Sequence, residues 1–349
     1  MSNLAPTVSV VLPFFNSARF LDDSVASVAS QSRDDFELLM VDDGSTDHSF
    51  EIATRALARH SLRGAVFHRP ETLAKGPGSC RNFGAARASG EFLAFQDSDD
   101  IWLPHHLARA LDCFAKSGDS MIAYCGLGAL FDEHGPRGTN PPDGLPASGL
   151  TDAFPVFLQG MSVPGQSLCV RRNTFRMTSG YHESLRCYED WWLMLQLARR
   201  GKFYFDPGVC VLIRERSGSL SRENRAGGAA LGMSRAMYRD QLSLYVAAGN
   251  SADFSKNDLA RLRETIVAWN SRQLGDLACG GRSHELRRVT AALLEAGVGA
   301  APLMLRIFGR TVAVVATRAC AKARRAAFGG NRKQATGKPG RDTAAQRKV

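Results

Sequence analysis

At 349 residues, with 44% hydrophobic and 22% charged residues, the chain is long enough for one large domain with an appendage or for two domains, and its composition excludes a wholly disordered protein. The net charge of +10 is unevenly placed: beyond residue 300 there are twelve Lys and Arg against the single acid Asp342, so the first 300 residues sum to about −1. No stretch of about 20 residues is free of charge, which excludes an obvious spanning helix, and the nearest candidate, 300–319, carries Arg306, Arg310 and Arg318.

Val8-Ser9-Val10-Val11-Leu12 is β-branched and closes at Pro13, which predicts a buried strand. Residues 18–31 carry Phe20, Leu21, Val25 and Val28 at helical spacing. A second apolar strand over 36–41 is stopped by Asp42-Asp43-Gly44-Ser45, and Asp47 or Ser49 is placed to cap a helix over 50–60. A short strand follows over 65–68, then a helix over 79–88 ended by Gly90, then a strand over 92–95. This alternation predicts an α/β fold with a parallel sheet and crossover helices. The two carboxylate clusters, 42–43 and 97–100, fall just past the C-terminal ends of parallel strands, the edge at which open α/β sheets bind ligands.

From about 125 to 165 the chain is rich in Gly and Pro and reads as loops crossing a cleft. Residues 188–200 predict a helix with Trp191, Trp192, Leu195 and Ala198 on an apolar side, residues 230–296 are mostly helical, and 331–349 is polar, basic and expected to be disordered. The expected organisation is a catalytic domain over 1–225, a helical region over 226–328 and a basic tail over 329–349. Eight cysteines without a C-x-x-C pair, and an N-terminus without a basic and apolar leader, predict a reduced cytoplasmic protein.

The stretch Gln96-Asp97-Ser98-Asp99-Asp100 packs three carboxylates directly after an apolar strand. Adjacent carboxylates repel and raise each other's pKa unless a cation neutralises them. A hard divalent ion takes oxygen ligands, and Mg²⁺ uses one or two carboxylates with substrate phosphates. In an extended D-x-D segment alternate side chains point the same way, so Asp97 and Asp99 share a face. Taken alone, this pattern also suits a solvated acidic loop, and Asp42-Asp43-Gly44-Ser45 also suits a plain turn.

The order of five separated elements narrows the choice. A strand ending Pro13-Phe14-Phe15-Asn16, then Val41-Asp42-Asp43-Gly44-Ser45-Thr46-Asp47, then Arg81-Asn82, then 96–104 and finally Glu189-Asp190 resembles the family-2 glycosyltransferases, inverting enzymes of the GT-A fold. The resemblance covers about residues 6–222. It implies a central, mostly parallel nucleotide-binding sheet flanked by helices, with a helical C-terminal extension added here. It also implies that Pro13, Phe14, Phe15, Asn16 and Asp43 hold the nucleotide base, that Asp97 with Ser98 holds the ribose, and that Asp99 holds Mg²⁺ or Mn²⁺ bridging the diphosphate. Asp190, paired with Glu189, is implied as the catalytic base; a carboxylate opening a helix beside Trp191 and Trp192 suits that task, and a first-turn acid favoured by the helix dipole is its plainer role.

Arg81 follows a Gly-rich stretch, 75–80, that resembles the family's approach to Ala-Arg-Asn with Cys80 in place of Ala, and the resemblance aims it at the diphosphate. Residues 214–221 resemble the loop that closes over the donor, with Arg216 where a His is frequent. Gln196 to Arg200 lacks the Trp of the processive synthases, so transfer of a single sugar from a nucleotide-sugar, most commonly a UDP-sugar, to a glycan or lipid-linked acceptor is expected.

Other classes fit less well. A nucleotidyltransferase carries a Gly-rich basic loop after its first strand, and a dehydrogenase carries G-x-G-x-x-G there; Pro13 to Asn16 is neither. A catalytically silent nucleotide-sugar-binding module brought to membranes by its tail is the remaining alternative. The tail combines Leu303, Ile307, Phe308, Val314 and Val315 with Arg306, Arg310, Arg318 and Lys322 at helix-like intervals, which predicts either a helix lying on an anionic membrane or one packed on the catalytic domain. No nucleic-acid recognition motif accompanies the basic charge, so no nucleic-acid partner is expected.

Overall fold

The apolar runs become the central strands of a ten-stranded sheet. The structure, a computed structural model, describes residues 5–139, 148–160, 163–215, 235–279 and 305–318. Strands β1 (Val8–Phe14), β2 (Phe36–Asp42), β3 (Gly64–His68) and β4 (Phe92–Phe95) lie parallel in the order β3-β2-β1-β4. Helices α1 (Leu21–Ala29), α2 (Ser49–Arg59) and α3 (Pro77–Arg87) connect them.

Strand periodicity sorts the core into two layers. Val10, Leu12, Leu38 and Met40 point to one face, where Val25, Val28, Ala53 and Ala56 of α1 and α2 cover them. Leu107, Leu111 and Phe114 of α4 (His106–Ser117) extend that layer. Val11, Leu39, Leu93 and Phe95 point to the other face, against Ala85 of α3 and the helix α7 (Glu189–Ala198). Each fully buried Leu, Val or Phe contributes roughly 1.5–3 kcal/mol, so both faces of β1 and β2 are fixed in register.

The second half of the sheet is mixed. It runs β4-β9-β6-β10-β5, with β5 (Ile101–Trp102), β6 (Met121–Asp132), β9 (Cys169–Arg171) and β10 (Lys202–Arg214). β9 is antiparallel to β4 and β6, whereas β6 and β10 are parallel. Two further strands, β7 (Gly135–Thr139) and β8 (Gly149–Thr151), pair antiparallel with β6 and β10, and the short helices α5 (Phe154–Phe157) and α6 (Arg172–Arg176) fill the connections.

The expectation of loops over 125–165 is therefore corrected: much of that span is strand. Two glycines there serve packing, because a Cβ at Gly126 would collide with the Cys210 sulfur and one at Gly128 would lie 2.5 Å from Ile213. These small residues, which read as loop signals in the sequence, let β6 and β10 approach.

The helical region packs on the catalytic domain. Leu242 and Leu244 of α8 (Arg235–Gly249) and Leu262, Ile266 and Leu274 of α9 (Lys256–Cys279) share one apolar cluster with Phe157, Trp191 and Phe203. A helix over 305–318 docks on α9. Ile307 is fully buried there and its carbonyl accepts from Ser271 Oγ at 3.0 Å, while Arg306 and Arg310 reach Glu264 at 3.4 and 3.6 Å. Ile307 therefore faces the protein, and the outward apolar residues are Leu305 and Val312, 76% and 70% exposed. Leu303, Lys322 and the tail from 329 lie outside the described residues. No helix among the described residues is long and apolar enough to cross a membrane.

Candidate active site

The loops after β1 and β2 are stitched together by their own polar side chains. Asn16 adopts the left-handed region, φ 46°, which Asn tolerates better than most residues. Its N–H donates to Ser45 Oγ at 3.0 Å and its Oδ1 accepts the Thr46 N–H at 2.8 Å. Asp42 is buried beneath the turn and accepts both the N–H and the hydroxyl of Ser45, at 2.9 and 2.6 Å. Asp47 accepts the N–H of Ser49, the first residue of α2, at 3.0 Å, from one position before the N-cap residue His48, which itself provides no side-chain cap.

Of the residues assigned to the base, Pro13 and Phe14 are buried and the Phe14 ring belongs to the core. Phe14 reaches the site through its carbonyl, which accepts the Asp43 N–H at 2.9 Å. Phe15 is half exposed, at 50%, and offers a ring at the strand end. Asp43 is held by Arg69, whose Nε donates to Asp43 Oδ1 at 2.5 Å. Arg69 is in turn fixed by the carbonyls of Pro70 and Leu73. The sequence reading missed Arg69; an Arg directly after β3, next to the end of β2, was the available signal.

The acidic loop after β4 is bound on every side. Ser98 is buried and exchanges a 2.7 Å hydrogen bond with Ser17, tying this loop to the one after β1. Asp100 is buried, accepting the Arg214 N–H at 2.8 Å and Gln166 Nε2 at 2.5 Å. Burial first, and then the negative charges of Asp99 and Asp97, push its pKa well above the ordinary carboxylate value. Asp100 is thus a lock between β4, β10 and the 163–167 loop. Arg214 Nε donates to the Asp99 carbonyl at 2.9 Å, closing the loop against β10.

Arg81 joins the two acidic motifs. Its Nη2 donates to Asp97 Oδ1 at 2.6 Å and its Nη1 to Glu189 Oε1 at 2.8 Å, although Glu189 lies 108 residues further on. The guanidinium sits 5.1 Å above the Tyr181 ring, and Asn82 fixes Tyr181 by donating to its carbonyl and accepting its N–H, both at 2.9 Å. Arg81 is buried; burial opposes its charge, but Asp97, Tyr181 and Glu189 outweigh it and hold its pKa well above the ordinary value. Whereas the sequence aimed Arg81 at a diphosphate, the structure engages it with Asp97 and Glu189.

Glu189 and Asp190 open α7, preceded by Tyr188 in the left-handed region at φ 66°. Burial pushes the Glu189 carboxyl up to about 7, with Asp190 adding and Arg81 opposing. Burial also raises Asp190, against Arg81 and the Trp191 N–H that donates to its Oδ1 at 2.7 Å. Gly165 packs on this carboxyl: a Cβ there would lie 3.3 Å from Asp190 Oδ2. Asp43 thus follows the end of β2, Asp97 and Asp99 follow the end of β4, and Arg81 ties Asp97 to Glu189 at the start of α7. The loop over 216–221, with Arg216, lies outside the described residues.

For a divalent ion the donor set is spare. No group of three or more His, Cys, Asp or Glu among the described residues is arranged to hold one. One oxygen of Asp97 is committed to Arg81, and Asp99 stands half-buried two residues on. That set fits an ion completed by substrate phosphates and water, and does not fit an all-protein cage.

Residues 9–136, which build β1 to β6 and carry the first four motifs, match the model of the family described as Glycosyl transferase family 2. EpsE of Bacillus subtilis (strain 168), which carries a glycosyltransferase name, is 28% identical over 225 residues, 64% of this chain and 78% of EpsE. The chain spans only about a third of the length of several other relatives with glycosyltransferase names. Among solved structures, S. aureus TarS 1-349 in complex with UDP-GlcNAc is similar with a TM-score of 0.63 at 19% identity, covering 88% of this chain and 89% of TarS 1-349. The mannosyltransferase PcManGT from Pyrobaculum calidifontis, in complex with GDP-Man and Mn2+, is similar with a TM-score of 0.53 at 16% identity, covering 91% and 87%. The sheet, its strand-end site and the family match agree: residues 9–136 belong to glycosyl transferase family 2, within a chain of GT-A fold.

Proposed function

We propose that this glycosyltransferase moves a single sugar, with inversion, from a UDP-sugar to a hydroxyl of a glycan or lipid-linked acceptor. The observation that carries the proposal is the Asp97–Arg81–Glu189 chain of ion pairs, which joins the acidic loop of a nucleotide site to a carboxylate pair suited to proton removal. Asp43, held by Arg69, is an acceptor for a base N–H, and Phe15 offers a face for stacking. The TarS structure in complex with UDP-GlcNAc supports a uridine donor, and PcManGT with GDP-Man and Mn2+ supports an ion in this fold. Held by Asp99 and the diphosphate oxygens, Mg²⁺ or Mn²⁺ would supply neutralisation of leaving-group charge.

Asp190 takes the proton of the acceptor hydroxyl as its oxygen bonds to the anomeric carbon and the bond from that carbon to the diphosphate breaks. One displacement from the face opposite the leaving group inverts the anomeric centre. Arg81 and Glu189 hold the acidic loop and the base in one frame, so the reacting groups are placed before substrate arrives. We propose further that the exposed side of the helix over 305–318, together with the basic residues beyond it, rests on an anionic membrane surface where lipid-linked acceptors are found.

The test is a screen of nucleotide-sugars for stabilisation and for release of nucleoside diphosphate, with and without Mg²⁺ or Mn²⁺. UDP-sugars should stabilise the protein and be turned over. Asp99→Ala should abolish turnover and the ion dependence of UDP binding. UDP binding that is equally ion-dependent in Asp99→Ala would remove that residue from the site, and binding without turnover of any donor would leave a silent sugar-nucleotide module.

A further inference from the structure

Helix α8, besides its apolar packing, holds by side-chain hydrogen bonds the three residues immediately before Glu189. Asp240 is 1% exposed, and its Oδ2 accepts the backbone N–H of Arg186 at 2.7 Å and of Cys187 at 3.0 Å. Its Oδ1 accepts from Arg239 at 2.9 Å, so the carboxylate keeps a counter-charge. The next residue, Gln241, is fully buried. Its Nε2 donates to the Tyr188 hydroxyl at 2.9 Å, and its Oε1 accepts from Asn270 of α9 at 2.7 Å. Three consecutive residues, Arg186, Cys187 and Tyr188, are thereby grasped by a pair of adjacent side chains that the helical region supplies.

The grasped segment is the one under strain. Tyr188 sits at φ 66°, a conformation that is strained for a bulky residue and persists only where its surroundings over-determine it. Its carbonyl accepts the Trp192 N–H at 3.0 Å, so the turn that sets the direction of α7 starts at this residue. The Tyr188 ring packs edge-on to Trp191 at 5.7 Å, and Trp191 packs on Trp269 of α9 at the same distance. A second layer of contact from the helical region therefore fixes the residue on the other side of the Glu189-Asp190 pair.

We propose that Asp240 and Gln241 are positioning residues for glycosyl transfer: they hold Tyr188 in its left-handed conformation and so set where the Asp190 carboxylate meets the acceptor hydroxyl. This rests on the role given to Asp190 above. The helical region is then part of the catalytic apparatus, and its contribution is directed at the base, since the hydrogen bonds of Asp240 and Gln241 to the frame go to the turn that opens α7. Loss of the grasp lets Tyr188 relax and swings the carboxylate, and displacement of a reacting group by about 1 Å costs roughly 100-fold in rate.

The experiment uses the full chain and three variants, Asp240→Ala, Asp240→Asn and Tyr188→Phe, with two readouts. Amide hydrogen exchange over 186–192 reads the grasp itself. Turnover of the donor identified by the nucleotide-sugar screen, with UDP affinity measured separately, reads its consequence. Asp240→Ala should accelerate exchange at Arg186 and Cys187 and lower kcat roughly 10- to 100-fold while UDP affinity stays within about twofold. Asp240→Asn, which keeps an acceptor oxygen, should recover most of both. Tyr188→Phe, a milder change that leaves the core intact, should lower kcat without altering UDP affinity. Unchanged exchange at 186–187 in Asp240→Ala overturns the grasp, and accelerated exchange with unchanged kcat overturns its catalytic meaning. If the unaltered chain turns over no donor, the glycosyl-transfer reading fails on its own, and the exchange result still decides whether α8 holds this turn.

Discussion

At the scale of single residues, the site gathers negative charge around cations, Arg69 on Asp43 and Arg81 between Asp97 and Glu189. Glu189 and Asp190 are adjacent, raised by burial, and share Arg81 with Asp97. Two such carboxyls titrate as a pair, and the higher step lies near the value of about 7 to which Glu189 is pushed, up from 4.5. A raised pKa favours the protonated form, and a base acts as its anion, so kcat should rise as pH climbs towards and through about 7 and fall away on the acid side. Glu189→Gln removes a like charge beside Asp190 and frees Arg81 to act on it more strongly; both effects lower the remaining carboxyl, so the acid limb should move to lower pH. Asp190→Asn should keep UDP affinity and lose roughly 10² to 10⁴-fold in transfer. A pH profile unmoved by Glu189→Gln would separate Glu189 from the base, and collapse of UDP affinity in Asp190→Asn would make that residue a structural cap.

At the scale of elements, α3 delivers Arg81 and is placed by a close approach to the sheet. Gly84 lies on its inner face, where a Cβ would come 2.5 Å from Cγ1 of Val11 in the centre of β1. Val11 is fully buried and has no flexible end to give way, so Gly84→Ala must lift α3 off the sheet. The expected cost is about 1–3 kcal/mol, a fall in Tm of several degrees, with loss of turnover because Arg81 leaves its two carboxylates. Wild-type stability and turnover in that variant would show that α3 has room the packing denies it. The elements around β1, β2 and β4 were legible in the sequence because their signals are local: apolar runs, helical spacing and turn residues. The motifs at their ends were legible by order along the chain. What was not legible depends on partners far away: β9 is three residues long, β10 is broken by a bulge between Asp206 and Val209, and nothing near Arg81 announces Glu189. Helix α8 was read as helix, but the grasp of Asp240 on Arg186 and Cys187 exists only in the folded chain.

At the scale of the whole molecule, charge is segregated from chemistry. The first 300 residues are close to neutral, and beyond residue 318 there are nine Lys and Arg against Asp342 alone. The docked helix between them has spent Arg306 and Arg310 on Glu264 and Ile307 on the core, so its contribution to a membrane contact is the apolar pair Leu305 and Val312, with attraction left to the residues that follow. Near an anionic surface each basic residue contributes roughly 1 kcal/mol, so nine of them can hold a neutral body reversibly, and the hold should weaken with salt as the Debye length shortens from about 30 Å at 0.01 M to about 10 Å at 0.1 M. Cutting the chain after Gly299 would confuse the issue, because it strips Ile307 from α9 and exposes apolar core. Cutting after Arg318 keeps the docked helix and removes only the charge. Full-length protein should sediment with phosphatidylserine vesicles at low salt and come off as salt is raised, while the chain ending at Arg318 should stay in the supernatant with unchanged turnover of a soluble acceptor. Full-length protein that ignores anionic vesicles at low salt would end the membrane proposal, and equal binding by the shortened chain would move it from the basic tail to Leu305 and Val312.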